Sequence, residues 1–157
     1  MKTAWQWLED GSLASTIRQS VWMYPALEIV HITGIVFLVG PALMFDLRLL
    51  GLAGNLPIQV LAKDLLSWSR RGLILVIPSG VLLFITNAAT LAYDPVFWIK
   101  MVLLMIAALN ALTFHRFILP SFTSSGIPGM HRRSRITALI SILAWLAIIT
   151  CGRLLAY

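Results

Sequence analysis

Residues 25–45 read Pro25-Ala-Leu-Glu28-Ile-Val-His31-Ile-Thr-Gly34-Ile-Val-Phe-Leu-Val-Gly40-Pro-Ala-Leu-Met-Phe45. A helix that crosses a hydrocarbon core needs about 20 mostly apolar residues. This stretch has that length, and Glu28 and His31 are its only ionisable groups. Three more stretches meet the same requirement: Gly72–Tyr93, Pro95–Leu119 and Ile136–Tyr157. The fold predicted is all-α, an integral membrane four-helix bundle occupying residues 1–157 as one domain. Composition agrees, because 59% of the 157 residues are hydrophobic and 11% are charged, against about 45–50% and 25% in soluble domains. Those figures exclude a soluble globular enzyme, a disordered tail and a nucleic-acid-binding domain. The single cysteine, Cys151, excludes an internal disulfide and any multi-cysteine metal site.

The connections fit four spans. Asp94-Pro95 is a tight turn that starts the third span with proline in its first helical turn. Pro120–Gly129 is a polar loop rich in helix breakers. Leu56, Val60, Leu61, Leu65 and Trp68 recur near helical spacing and predict a short surface helix over 56–68. Residues 1–21 lack the apolar core of a signal peptide and read as a short N-terminal interfacial helix, with Trp5, Trp7, Leu8 and Leu13 against Glu9, Asp10 and Arg18.

Basic residues set the orientation. Arg48, Lys63, Arg70 and Arg71 fall in the first loop, and Arg116, Arg132, Arg133 and Arg135 around the third. Lys2, Arg18, Lys100 and Arg153 fall on the other side. Eight of the 12 basic residues therefore mark the cytoplasmic face, which puts both termini in the periplasm of a bacterial inner membrane.

Polar groups inside spans are costly and so are functional candidates. They are Glu28, His31, Asn87, Lys100, Asn110, His115 and Arg153. At 1.5 Å per residue, Glu28 and His31 lie roughly 5 and 9 Å down the first span, Lys100 roughly 8 Å down the third and Arg153 about 6 Å from the same face. Those four gather in the outer leaflet. His115 lies roughly 20 Å from His31 along the membrane normal, so the two cannot ligate one haem; beside Arg116 it is an interfacial residue or a ligand at a second site. Tyr24, Glu28, His31, Leu38 and Ala42 share one helix face, flanked by Gly34 and Gly40, which permit close approach of a neighbour or a flat ligand.

A neutral histidine in a bundle core ligates haem iron or copper. Haem also needs a flat apolar slot and cations near its propionates. His31 supplies the axial ligand, Lys100 the second ligand or a propionate partner, and Glu28 and Arg153 tune the site or relay protons. This predicts a haem b protein with an electron-transfer or redox role, working with a partner protein or a quinone in the bilayer, alone or with a second copy of itself. Copper handling by His31 with Glu28 and Met101 or Met105 is the alternative. The third reading is a non-catalytic subunit in which Glu28 and Lys100 pair to hold helices together. Asn87 and Asn110 read as helix–helix hydrogen-bonding residues, and Trp22, Tyr93 and Trp98 as the outer aromatic belt.

The order of motifs resembles the four-helix bacterial membrane proteins of the HemJ-type protoporphyrinogen oxidase and CopD-like copper-resistance group. The matching stretches are His31-Ile-Thr-Gly34, Asp46-Leu-Arg48-Leu-Leu-Gly51, Pro78, Phe97-Trp98-Ile99-Lys100-Met101 and Arg135, over about residues 22–157. In the HemJ-type enzymes the first-helix histidine and third-helix lysine are associated with haem binding; the resemblance implies that role for His31 and Lys100. The fourth helix departs, with Arg135-Ile-Thr-Ala138 where HemJ-type proteins carry an Asn-Glu-x-Pro-like motif. That departure separates the chain from the oxidases and points to a sister branch.

Overall fold

A computed structural model describes residues 3–52, 58–120 and 130–155. Among these the chain is helical, with helices α1 (Ala4–Glu9), α2 (Ser12–Gln19), α3 (Met23–Leu49), α4 (Ile58–Thr86), α5 (Ala88–Tyr93), α6 (Pro95–Thr113) and α7 (Met130–Leu154). Four stretches are long and apolar enough to cross a membrane: Met23–Leu49, Leu61–Thr86, Pro95–Ile118 and Arg132–Leu154. Large apolar side chains on their outward faces, such as Ile74, Leu109 and Leu143, stay exposed, the pattern of helices that meet lipid rather than water.

Three boundaries differ from those predicted. The helix predicted over 56–68 is not separate: from Ile58 it is the first part of α4, which runs unbroken to Thr86. The second span therefore starts and ends earlier than Gly72–Tyr93. Its end is set by Asn87, whose φ of −135° and ψ of 33° leave the helical region and divide α4 from α5. The N-terminal segment is two helices rather than one, and Ala14 and Ile17 of α2 are buried. Of the loop predicted over 120–129, residues 121–129 lie outside the described residues.

The Asp94-Pro95 reading holds. Asp94 Oδ1 accepts from Val96 N at 2.7 Å, and Pro95 occupies the first turn of α6, where its missing N–H leaves no donor unpaired. The far end of α6 winds into a π-helical turn, Phe114–Ile118, which buries Phe114 and Ile118.

α3 packs on α4 and on α7, and α7 packs on α6, whereas α4 and α6 touch little along their lengths. The near end is where α3 begins, α4 stops and α6 begins. There the stacked rings of Phe84 and Phe97, 5.2 Å apart, join α4 to α6, and Trp5 of α1 meets Phe84 edge-on. At the far end, Phe45, Leu49, Ala62, Phe114, Ile118 and Ala138 form the main core cluster.

The α3–α4 contact is the closest in the bundle for a visible reason. A Cβ added at Gly72 would stand 2.5 Å from Leu38 N and 2.8 Å from Gly34 O. One added at Gly34 would stand 2.8–3.0 Å from Val76 Cγ2, Leu75 Cβ and Val76 N. Ser69 Oγ donates to Leu38 O across the same contact at 2.8 Å. Small residues that admit a neighbour's backbone, with a hydroxyl bridging the helices, are the usual cement between membrane helices. Gly40, predicted to share this role, has open space where its Cβ would be.

Gly72→Ala is expected to lower stability by roughly 1–3 kcal/mol, since backbone rather than a flexible side chain blocks the methyl. Gly40→Ala is expected to be neutral or slightly stabilising, by the helix preference of alanine over glycine. Thermal unfolding midpoints in one detergent check the pair; equal effects would contradict the glycine contact.

Candidate functional site

His31 lies on α3 three residues before Gly34, so the register of the glycine contact fixes what it faces on α4. Extending the antiparallel pairing of Gly34 with Val76 brings His31 level with Ser79 and Gly80. His31 Nδ1 and Ser79 Oγ are 2.9 Å apart. Ser79 Oγ also hydrogen-bonds the Leu75 carbonyl, and more weakly the Val76 carbonyl at 3.3 Å. A carbonyl only accepts, so the single hydroxyl proton of Ser79 goes to the backbone. The imidazole must then donate from Nδ1 to Ser79 Oγ, and the lone pair is left on Nε2.

Gly80 makes room for the ring: a Cβ there would stand 3.0 Å from His31 Cε1 and 3.6 Å from Nδ1. Opposite, a Cβ at Gly152 on α7 would stand 3.8 Å from Lys100 Nζ, so the amine lies over a bare Cα. Lys100 is close enough for its charge to act on the His31 ring, and the Cys151 thiol lies near Lys100. Cys151 is buried and His31 and Lys100 are half-buried. α3 and α6 thus bring His31 and Lys100 within electrostatic range of one another.

The four residues predicted to gather in the outer leaflet fare differently. His31 and Lys100 come together. Glu28 is exposed one turn before His31 and forms neither an ion pair with Lys100 nor a hydrogen bond among the described residues. Arg153 is exposed, directly after Gly152. His115 is exposed in the π-helical turn at the far end, within electrostatic range of Arg70 and 15 residues along from Lys100. Met101 and Met105, the pair considered for copper, are 44% and 62% exposed and point away from the interior. No group of three or more His, Cys, Asp or Glu side chains suited to a metal occurs among the described residues.

Both asparagines join helices as read. Asn110 Nδ2 donates to Thr137 O at 3.0 Å, tying α6 to α7, and Asn87 Nδ2 donates to Tyr24 Oη at 3.3 Å, tying the end of α4 to α3. Trp22, Tyr93 and Trp98 are exposed at the near end, where a belt would lie.

Ser79, Gly80, Cys151 and Gly152 escaped the sequence reading as a set. Their signal is positional: two small residues directly after Pro78, and a small pair one residue before Arg153, each level with a candidate ligand. Asp46 was missed for a different reason. It falls one residue beyond the predicted end of the first span, yet α3 runs on to Leu49 and buries it to 7% exposure.

The chemistry on hand is thus one imidazole held by Ser79 through Nδ1, one amine and one thiol, flanked by two glycines, on four helices. Neither proteins of assigned function nor solved structures give a match to the chain. A family described as "Family of unknown function (DUF6644)" matches residues 5–157, and with nearly the whole length covered the chain belongs to it.

Proposed function

We propose that the chain is a haem b-binding protein of the bacterial inner membrane that carries electrons between a redox partner or quinone and a second protein. His31 is the axial ligand. Lys100 is the second ligand or the propionate partner, and the basic-residue tally places both termini in the periplasm. The observation that carries this reading is the Nδ1–Ser79–Leu75 relay. Histidines that ligate metals almost always donate their other ring N–H to a fixed acceptor, which sets the tautomer and orients the ring.

Three further features support the reading. Gly80 and Gly152 make room for the two side chains themselves, since a Cβ at either would meet the His31 ring or the Lys100 amine. Apart from the Phe84–Phe97 stack, α4 and α6 make little contact, so theirs is the least packed side of the bundle for a flat group to approach. The pairing of His31 with Lys100 is also the one implied by the HemJ-type resemblance. When bound, haem would supply the one-electron redox chemistry; the chain ligates it, orients the imidazole and sets the charge around it.

A copper site is the second reading. The buried Cys151 thiol near Lys100 adds a soft donor that the sequence alone did not place there, while the outward Met101 and Met105 remove the thioethers it had relied on.

The test is the absorption spectrum of protein purified with haem supplied. A Soret band in the wild type that disappears in His31→Ala is expected; a band unchanged in that variant removes the proposal. Copper without porphyrin by metal analysis would favour the second reading, and neither metal nor porphyrin a purely structural bundle.

Two variants refine the site. Ser79→Ala, which breaks the relay without touching the ligand, is expected to weaken haem affinity by about 10–100-fold, measured by titration. Lys100→Leu, which offers no donor atom, is expected to convert the spectrum from low-spin to high-spin with haem retained if the amine ligates iron. If it meets a propionate, affinity falls and the spectrum keeps its form.

A further inference from the structure

Asp46 sits on α3 three residues before its end, and its environment is apolar. Its helix neighbours Phe45 and Leu49 belong to the far-end core cluster with Phe114, Ile118 and Ala138, and it is only 7% exposed. Ser141 of α7 lies within reach of its side chain, yet Oδ2 has no hydrogen-bond partner among the described residues. Buried polar atoms without partners are rare in native structures and demand a reason.

The charged groups on the packed elements do not supply one. Arg48 on α3 is half-buried, two residues away and so turned to another side of the helix. Lys63, Asp64 and Arg70 on α4, His115 and Arg116 in the π-helical turn, and Arg132, Arg133 and Arg135 on α7 are all exposed. None forms a bond to Oδ2.

We propose that Asp46 is a proton-binding site at the far end of the bundle, holding a proton that exchanges with water on that side. The geometry suits a carboxylic acid and not a carboxylate. With the proton on the carboxyl group, Oδ2 can be a plain carbonyl oxygen, whose unpaired burial is tolerable. An ionised group would leave a full charge in an apolar cluster, which costs far more. The helix end is three residues on, about 5 Å at 1.5 Å per residue, so the path to water is short. Nothing in this depends on the ligand at His31.

Infrared spectroscopy of the intact protein in lipid, with aspartate carrying a 13C carboxyl, tests it. The chain has four aspartates. Asp10 and Asp64 are exposed, and Asp94 accepts a backbone N–H as a helix cap. At neutral pH the expected result is one isotope-shifted carboxylic acid C=O band that moves further in D2O. It should vanish in Asp46→Asn, a near-isosteric neutral change that keeps the helical content, and shift in Ser141→Ala. Carboxylate bands alone would overturn the proposal, as would an acid band that stays fixed in D2O or persists in Asp46→Asn. The labelled wild type decides the matter even if Asp46→Asn fails to fold.

Discussion

Everything about the near-end site depends on two backbones touching. Gly34 and Gly72 let α3 and α4 approach until main-chain atoms of one helix occupy the space where a side chain of the other would be. Such a contact tolerates neither a slip along the axis nor a rotation, because both would drive a Cβ from a flanking residue into the partner. With Ser69 bonded to the Leu38 carbonyl, the register is fixed at two points about a helical turn apart. His31 then has no choice of neighbour. One turn towards the near end from Gly34, it meets Ser79 and Gly80, and the hydroxyl proton is already committed to the backbone. A packing constraint thereby decides a tautomer, and the tautomer decides which nitrogen is available for chemistry.

The end of α4 is held by a device that lies outside the four spans. At the break between α4 and α5, Arg18 donates to the Thr86 carbonyl at 2.9 Å, and Glu9 accepts from Ala89 N at 2.8 Å while pairing with Arg18 at 3.3 Å. A cation therefore sits at the carbonyl end of one helix and an anion at the amide end of the next, the arrangement that complements both helix dipoles and satisfies groups left open by the interruption. The N-terminal helices are tied to the bundle through these bonds and through Ala14 and Ile17. Ser79 lies two turns before the break, so the same clamp steadies the residue that orients His31.

How much of this the sequence disclosed follows from what kind of signal each feature leaves. Long apolar stretches announced four helices, and rise per residue was enough to bring His31 and Lys100 to one depth and to send His115 to the other. Residues 56–71 misled because Lys63, Asp64, Arg70 and Arg71 interrupt the apolar run; the helix continues through them since Ser69 and Gly72 are needed on its α3 face and the charges fit on the outside. Hydropathy sees the charges and not the face. Gly34 and Gly40 looked alike in sequence, but only the partner's position separates a glycine under a backbone from one under open space. The Glu9–Arg18 clamp left no local trace at all, as its partners are about 70 to 80 residues away in the chain.

α3 carries a polar group at each end of its buried face. His31 and Asp46 are 15 residues apart, which is about 22 Å along the axis and roughly 60° in rotation, so both point into the bundle rather than at lipid. Between them the face is Gly34, Leu38, Val39 and Phe45, all buried, with no titratable group to pass a proton along. Direct exchange between the two ends is therefore not what the helix provides. The helix that fixes the register of the near-end site thus also fixes where the buried carboxyl sits at the far end, and the two polar groups are kept apart by an apolar face.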